Sequence, residues 1–159
     1  MFHIHKKTQG VFVIGCSRLG SLLADTPYAQ GRCVTVLDHE EEAFRKLSFS
    51  FGGMKQRLEA TDLEELKQMD FRQAEEVFVV TEDDCTNVLC ALLLNTLYPS
   101  LHILVRLRDM SRQAVLEDTQ IEVICPDLLC LQQCSSLITN HDRQSGFQRK
   151  ERFFPGSRA

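Results

Sequence analysis

Two places in the first forty residues could together hold a phosphorylated sugar. The segment Gly15-Cys16-Ser17-Arg18-Leu19-Gly20 has glycines at both ends, and Asp38 follows 18 residues after Gly20. A glycine directly after an apolar strand permits a tight turn, and the second glycine lets the next helix lie close against the sheet. The amides at the start of that helix, with the positive end of its dipole, face an anion. An acid at the tip of the following strand accepts hydrogen bonds from both hydroxyls of a ribose. This is the chemistry of binding an anion and a sugar.

The elements that must position these residues are legible around them. Val11-Phe12-Val13-Ile14 leads into the glycine turn, and Cys33-Val34-Thr35-Val36-Leu37 ends in Asp38. The motif departs from the usual dinucleotide fingerprint at Ser17, where a second glycine would let the backbone approach a pyrophosphate. Two readings follow: the phosphates sit further out and bond to the Ser17 hydroxyl, or the copy is degenerate and empty. The first is favoured, because Asp38 and later features also fit a working site. Asp38 has a structural alternative as the cap of a segment beginning at Glu40. The sequence Asp38-His39-Glu40-Glu41-Glu42 carries no cation before Arg45. Its carboxylates would repel a 2′-phosphate, so NADP is disfavoured, whereas NAD(H), ATP, ADP and AMP stay open.

Strands and helices alternate along most of the chain. Predicted strands are Gly10–Ile14, Cys33–Leu37, Met54–Glu59, Val77–Val80, His102–Leu107 and Ile121–Ile124. Predicted helices are Arg18–Ala29 (closed by Gly31), Glu40–Leu47, a segment capped by Thr61 or Asp62, Cys85–Leu97, Met110–Leu116 and Leu128–Ile138. Thr61-x-x-Glu64 reads as a capping box. The pattern predicts an α/β, Rossmann-like, doubly wound fold: a mainly parallel six-stranded sheet with helices on both faces. Residues 10–139 form this domain, 1–9 an N-terminal extension, and 140–159 a polar, basic tail. That tail reads as flexible, with a short docking segment as the alternative.

Ligands of such sheets bind beyond the carboxyl ends of the strands. Found there are Cys16, Ser17, Arg18 and Leu19; Asp38 and His39; Glu59, Ala60 and Thr61; Thr81, Glu82 and Asp83; and Arg106 and Arg108. Arg18 sits unfavourably beside a positive helix end unless a phosphate lies there. Arg106 and Arg108 share one side of a strand and either meet a phosphate or pair with acids such as Asp109 or Glu117. No Ser-His-Asp set, Schiff-base lysine or Tyr-x-x-x-Lys accompanies them, so no catalytic residue is assigned.

Composition narrows the class further. Apolar residues make up 43% and charged residues 25%, and the net charge of −4 gives no case for nucleic acid. No apolar run reaches the about 18 residues of a spanning helix, and the N-terminus lacks the apolar stretch of a signal peptide. The expected location is cytoplasmic. The 7 cysteines are odd in number and lack a Cys-x-x-Cys, so they read as buried thiols rather than metal ligands. The set Cys125, Cys130 and Cys134 and the pair His3 and His5 are the metal alternatives, both disfavoured.

Six blocks in order and register resemble one family. They are Val11–Gly20, Val34–Asp38, Glu59-Ala60-Thr61-Asp62 with Leu66, Thr81-Glu82-Asp83-Asp84-x-x-Asn87, Val105-Arg106, and Val123-Ile124-Cys125-Pro126. Over about residues 10–138 the chain resembles the TrkA-N domains, also called RCK or KTN domains, cytoplasmic regulators of bacterial potassium transporters and channels. The resemblance implies a Rossmann-like domain that binds ATP, ADP or NAD(H) and acts in dimers or larger rings to gate a membrane transporter subunit. It implies that Arg18 reaches phosphates, sometimes those of a neighbouring subunit, and that Asp38 holds the ribose. Glu59, Ala60 and Thr81 would surround the adenosine, with Gly15, Cys16, Leu19, Gly20, His39, Thr61, Glu82, Asn87 and Arg106 completing the nucleotide site. The chain departs from the family at Leu58-Glu59, where Gly-Asp is usual, and lacks room for the second ligand domain that many members carry. The expected function is a non-enzymatic adenine-nucleotide sensor. Its rivals are a small NAD-dependent oxidoreductase and a Rossmann scaffold kept only for protein contacts.

Overall fold

The computed structural model describes residues 10–148. Apolar runs become strands β1 (Gly10–Ile14), β2 (Cys33–Asp38), β3 (Met54–Arg57), β4 (Ala74–Val79), β5 (Ile103–Arg106) and β6 (Glu122–Ile124). All neighbours pair in parallel, in the order β3-β2-β1-β4-β5-β6. The chain order therefore reverses between β1 and β4, which opens a crevice at their carboxyl ends.

Alternation along each strand feeds two cores, one on each face of the sheet. Val11, Val13, Val34, Val36 and Val80 pack with Ala24 of α1 (Arg18–Ala29). Ile14, Val77, Val79, Ile103 and Val105 pack with Leu66 of α2 (Leu63–Gln68) and with Cys90, Ala91 and Leu94 of α3 (Asp84–Leu97). This is the doubly wound α/β sheet the alternation predicts. Val88, Leu92 and Leu93 of α3 also pack against this core, leaving Leu89, 44% exposed, as the large apolar residue it offers to solvent.

Several local expectations are corrected. The segment after β2 is a 3₁₀ helix, Glu41–Lys46, and so is Met110–Leu116. Both are too short and polar to sustain an α-helical apolar stripe. Asp62, not Thr61, caps α2: its carboxylate accepts from the Glu64 and Glu65 amides. β3 has every residue exposed and exists through backbone pairing with β2, from Thr35↔Met54 to Asp38↔Arg57. Its apolar content was bound to be a weak signal. Cys16, Cys90 and Cys125 are buried, but Cys33, Cys85, Cys130 and Cys134 are exposed. Among the described residues no group of three or more His, Cys, Asp or Glu is placed to hold a metal.

The chain divides into two compact units, one ending at Cys125 and one beginning at Pro126. The second consists of α4 (Pro126–Gln148), which continues well past the expected end at Ile138. Apolar periodicity fades after Ile138, but Asn140–Gly146 contains no proline to stop the helix itself. The N-terminal extension with His3 and His5, and the basic end of the tail, lie outside the described residues. No helix among the described residues is long and apolar enough to cross a membrane.

Candidate functional site

The glycine turn is built as tightly as its sequence suggests. Gly15 has φ +99°, and a Cβ there would stand 2.5 Å from the Thr81 amide nitrogen. A Cβ on Gly20 would stand 1.9 Å from the Gly15 carbonyl oxygen, so helix and turn touch directly. The Gly15 amide donates to the Leu37 carbonyl at 2.8 Å, and the Val80 amide to the Ile14 carbonyl at 2.8 Å. The ends of β1, β2 and β4 are thereby locked around one point.

Ser17 has a role other than the one expected. It is the N-cap of α1: its Oγ accepts from the Gly20 amide at 3.1 Å and donates to the Val80 carbonyl at 2.8 Å. The residue is 4% exposed. With its proton committed to Val80, the hydroxyl is a brace between β4 and α1 and has no donor left for a phosphate.

Asp38 turns its carboxylate onto the turn. Oδ2 accepts from the Cys16 amide at 2.6 Å, and Oδ1 from the Glu40 amide at 3.0 Å. The His39 imidazole lies beside it, Nδ1 3.4 Å from Asp38 Oδ1 and Nε2 3.5 Å from Glu40 Oε1. Each Asp38 oxygen has capacity for a further hydrogen bond, so ribose hydroxyls can be accepted without breaking the internal ones. Burial, with the Asp38 charge second, pushes the Cys16 thiol up to about 11. Cys16 thus stays a neutral, unreactive thiol at neutral pH.

A buried asparagine organises the β4 side. Asn87, 0% exposed, accepts from the Thr81 amide at 2.9 Å and from its hydroxyl at 2.6 Å. Its amide donates to the carbonyls of Thr81 at 3.1 Å and Arg106 at 3.0 Å. Arg106 sends Nη1 to the same Thr81 carbonyl at 3.2 Å, while its buried Nε has no partner. Arg108 is exposed, and its backbone amide is held by Asp84. Neither arginine forms an ion pair with a described residue, so neither acid pairing considered from the sequence occurs; Asp109 instead lies 3.8 Å from Arg112. Glu59 folds back, its Oε1 accepting from the Thr61 amide at 3.2 Å and hydroxyl at 2.9 Å.

These loops enclose a cavity of about 450 Å³. Of the residues expected at the site, Gly15, Ser17, Asp38, His39, Glu59, Ala60, Thr81 and Glu82 line it. Cys16, Arg18, Leu19, Gly20, Thr61, Asn87 and Arg106 do not; most of them brace the loops, and Arg18 stands exposed at the first position of α1. The lining also contains Leu58, noted as a departure from the family, and Ala43, Lys46 and Thr86, which the sequence reading did not assign to the site. Residues three apart in a 3₁₀ helix are eclipsed, which brings Lys46 into line with the inward Ala43. Apolar groups such as Ile14, Leu58 and Ala60 offer a surface for a flat ring, with carboxylates and hydroxyls at its edge. This mixture suits one polar, partly aromatic ligand.

Comparison with known proteins agrees with this geometry. The sequence pattern of the TrkA-N domain matches residues 11–126. The Trk system potassium uptake protein TrkA of Streptomyces coelicolor is 27% identical over 114 residues, covering 72% of this chain and 51% of that protein. A TrkA homolog of Pyrococcus horikoshii is 24% identical over 110 residues, 69% of this chain and 48% of its own length. The chain thus spans about half the length of the curated relatives it matches. Among solved structures, the TrkA-N domain of the Escherichia coli inner membrane protein ybaL superposes with a TM-score of 0.71 at 14% identity, over 82% of this chain and 96% of that one. GsuK bound to ADP gives a TM-score of 0.69 at 19% identity, over 86% of this chain and 35% of GsuK. GsuK bound to NAD gives 0.63 at 13%, over 77% and 22%. By fold, by glycine turn and by a sequence match across nearly the whole sheet, the chain belongs to the TrkA-N domain family.

Proposed function

We propose that this chain is a regulatory, non-enzymatic subunit that binds an adenine nucleotide, ATP, ADP, AMP or NAD(H), and controls a membrane-embedded potassium transporter. The observation that carries the reading is the cavity at the β1/β4 crossover, with Asp38 at the tip of β2 and the N-terminus of α1 beside it. Asp38 accepts the ribose hydroxyls, the apolar wall takes the adenine, and the first-turn amides of α1 meet the proximal phosphate. Acidic residues outnumber the one lysine in the lining five to one, which disfavours the 2′-phosphate of NADP. The potassium uptake relatives and the nucleotide-bound neighbours support the reading. In its own cell the chain acts in the cytoplasm, at the inner face of the membrane through its partner.

The mechanism is linkage. A nucleotide that touches the β1, β2 and β4 loops at once ties them into one arrangement. If a homodimer or larger ring prefers that arrangement, the ligand shifts its population by its differential affinity and passes the bias to the transporter. Leu89 and the exposed leucines of α4 are candidate contacts for such an assembly. Calorimetric titration of the purified chain with AMP, ADP, ATP, NAD and NADP tests the ligand, and light scattering with and without the ligand tests the assembly. Binding of at least one nucleotide that lacks a 2′-phosphate, with NADP weaker than NAD, is expected. Failure of all five to bind would leave the scaffold reading in its place.

A further inference from the structure

The lining of the cavity is unbalanced in charge. Five acidic residues line it, Asp38, Glu40, Glu59, Glu82 and Asp83, against one lysine, Lys46. Lys46 makes no hydrogen bond or ion pair with any described residue, although it shares the cavity wall with those acids. It lines the same cavity as Gly15 and Ser17 of the glycine turn. The expected phosphate cation, Arg18, lies outside the lining, and the Ser17 hydroxyl is already spent on Val80. The glycine turn therefore offers a phosphate only backbone amides, unless Lys46 joins them.

We infer that Lys46 is the cation this chain brings to the 5′-phosphate of its nucleotide, a specificity-determining residue that no motif of the glycine turn encodes. The inference rests on the adenine-nucleotide reading above. A 5′-phosphate over the turn receives α1 amides from one side and the Lys46 ammonium from the other. The lysine also offsets the field of Asp38 and Glu59, which would otherwise repel that phosphate. Arg18 is left to groups further out, such as the distal phosphates of a longer chain.

The test is calorimetric titration of the full chain and its Lys46→Gln and Lys46→Arg variants with adenosine, AMP, NAD and NADP, at two salt concentrations. Lys46→Gln is expected to weaken AMP and NAD about tenfold or more, with adenosine unchanged and a shallower salt dependence. Lys46→Arg is expected to recover AMP affinity to within about threefold. Lys46 is exposed, so its variants should melt as the parent does, which separates ligand effects from folding. Equal losses for AMP and adenosine would make Lys46 a packing residue, and no loss for either would remove it from the site. A loss confined to NADP would place the ammonium at the 2′ position instead; each of these overturns the inference while leaving the nucleotide site intact. A parent chain that binds neither adenosine nor AMP sinks the nucleotide reading, and the role of Lys46 with it.

Discussion

Replacing Asp38 with alanine separates the two jobs its carboxylate performs. Inside the protein it accepts from the Cys16 amide at 2.6 Å and the Glu40 amide at 3.0 Å. The first bond is partly buried, so its loss strands an amide away from water, at a cost of about 1–3 kcal/mol. The second faces solvent and is replaced by water at little cost. For a chain of this size, Asp38→Ala should lower the melting temperature by about 2–4 °C per kcal/mol lost, hence roughly 2–12 °C. The effect on ligand is separate. Removing a charged acceptor from two ribose hydroxyls should weaken AMP binding by about 1.5–3 kcal/mol, or about 10- to 150-fold. Asp38→Asn retains one carbonyl acceptor, and should recover much of the stability but little of the affinity. Calorimetry well below each variant's melting temperature, paired with urea unfolding, measures both. Lost stability with unchanged affinity for ATP, ADP, AMP and NAD alike would make Asp38 a brace of the turn and refute its assignment to the ribose.

Three further outcomes are expected. Gly20→Ala forces a Cβ to 1.9 Å from the Gly15 carbonyl oxygen, and backbone cannot yield as a side chain can. It should destabilise by at least about 2–3 kcal/mol or prevent folding, and urea unfolding within about 0.5 kcal/mol of the parent would contradict that packing. Arg18→Ala should cost more affinity for ATP than for ADP, and least for AMP, because the exposed guanidinium reaches only distal phosphates; equal losses across the three would remove it from the site. The hydrogen bond from His102 Nε2 to Glu122, 2.8 Å long, raises the His102 pKa above its ordinary 6.5, helped by the charges of Glu122 and Glu76. A raised folded value means that this contribution to stability is fully present below pH 6.5 and fades as pH climbs through the folded value. His102→Gln should flatten the fall in stability as pH rises above 6.5, and an unchanged pH profile in that variant would show that the pair contributes nothing.

What was legible in the sequence was whatever depends on neighbours along the chain. Gly15, Gly20 and Asp38 declare themselves because a turn, a helix start and a strand tip follow one another in order. The sheet was legible because buried parallel strands read as unbroken apolar runs, as Val77–Val80 does. The bracing roles of Ser17 and Asn87 were not legible because their partners arrive through the fold. Val80 lies 63 residues from Ser17, and Arg106 lies 19 from Asn87. Both side chains hold backbone carbonyls at the cavity wall, and no local pattern records that duty. Lys46 escaped notice because it lies eight residues beyond Asp38, outside the strand-end loops, and reaches the cavity only through the fold. Arg106 looked like a phosphate ligand by its place at a strand end, yet it reaches the Thr81 carbonyl.

Growing crystals of the chain with AMP and inspecting the density beyond Gly15–Gly20 tests the central claim most directly. The expected result is adenine against Leu58 and Ala60, ribose hydroxyls on the Asp38 carboxylate, and the phosphate over the first turn of α1. An empty cavity at saturating AMP, or a nucleotide bound elsewhere with Asp38 still engaged only by Cys16 and Glu40, would contradict it.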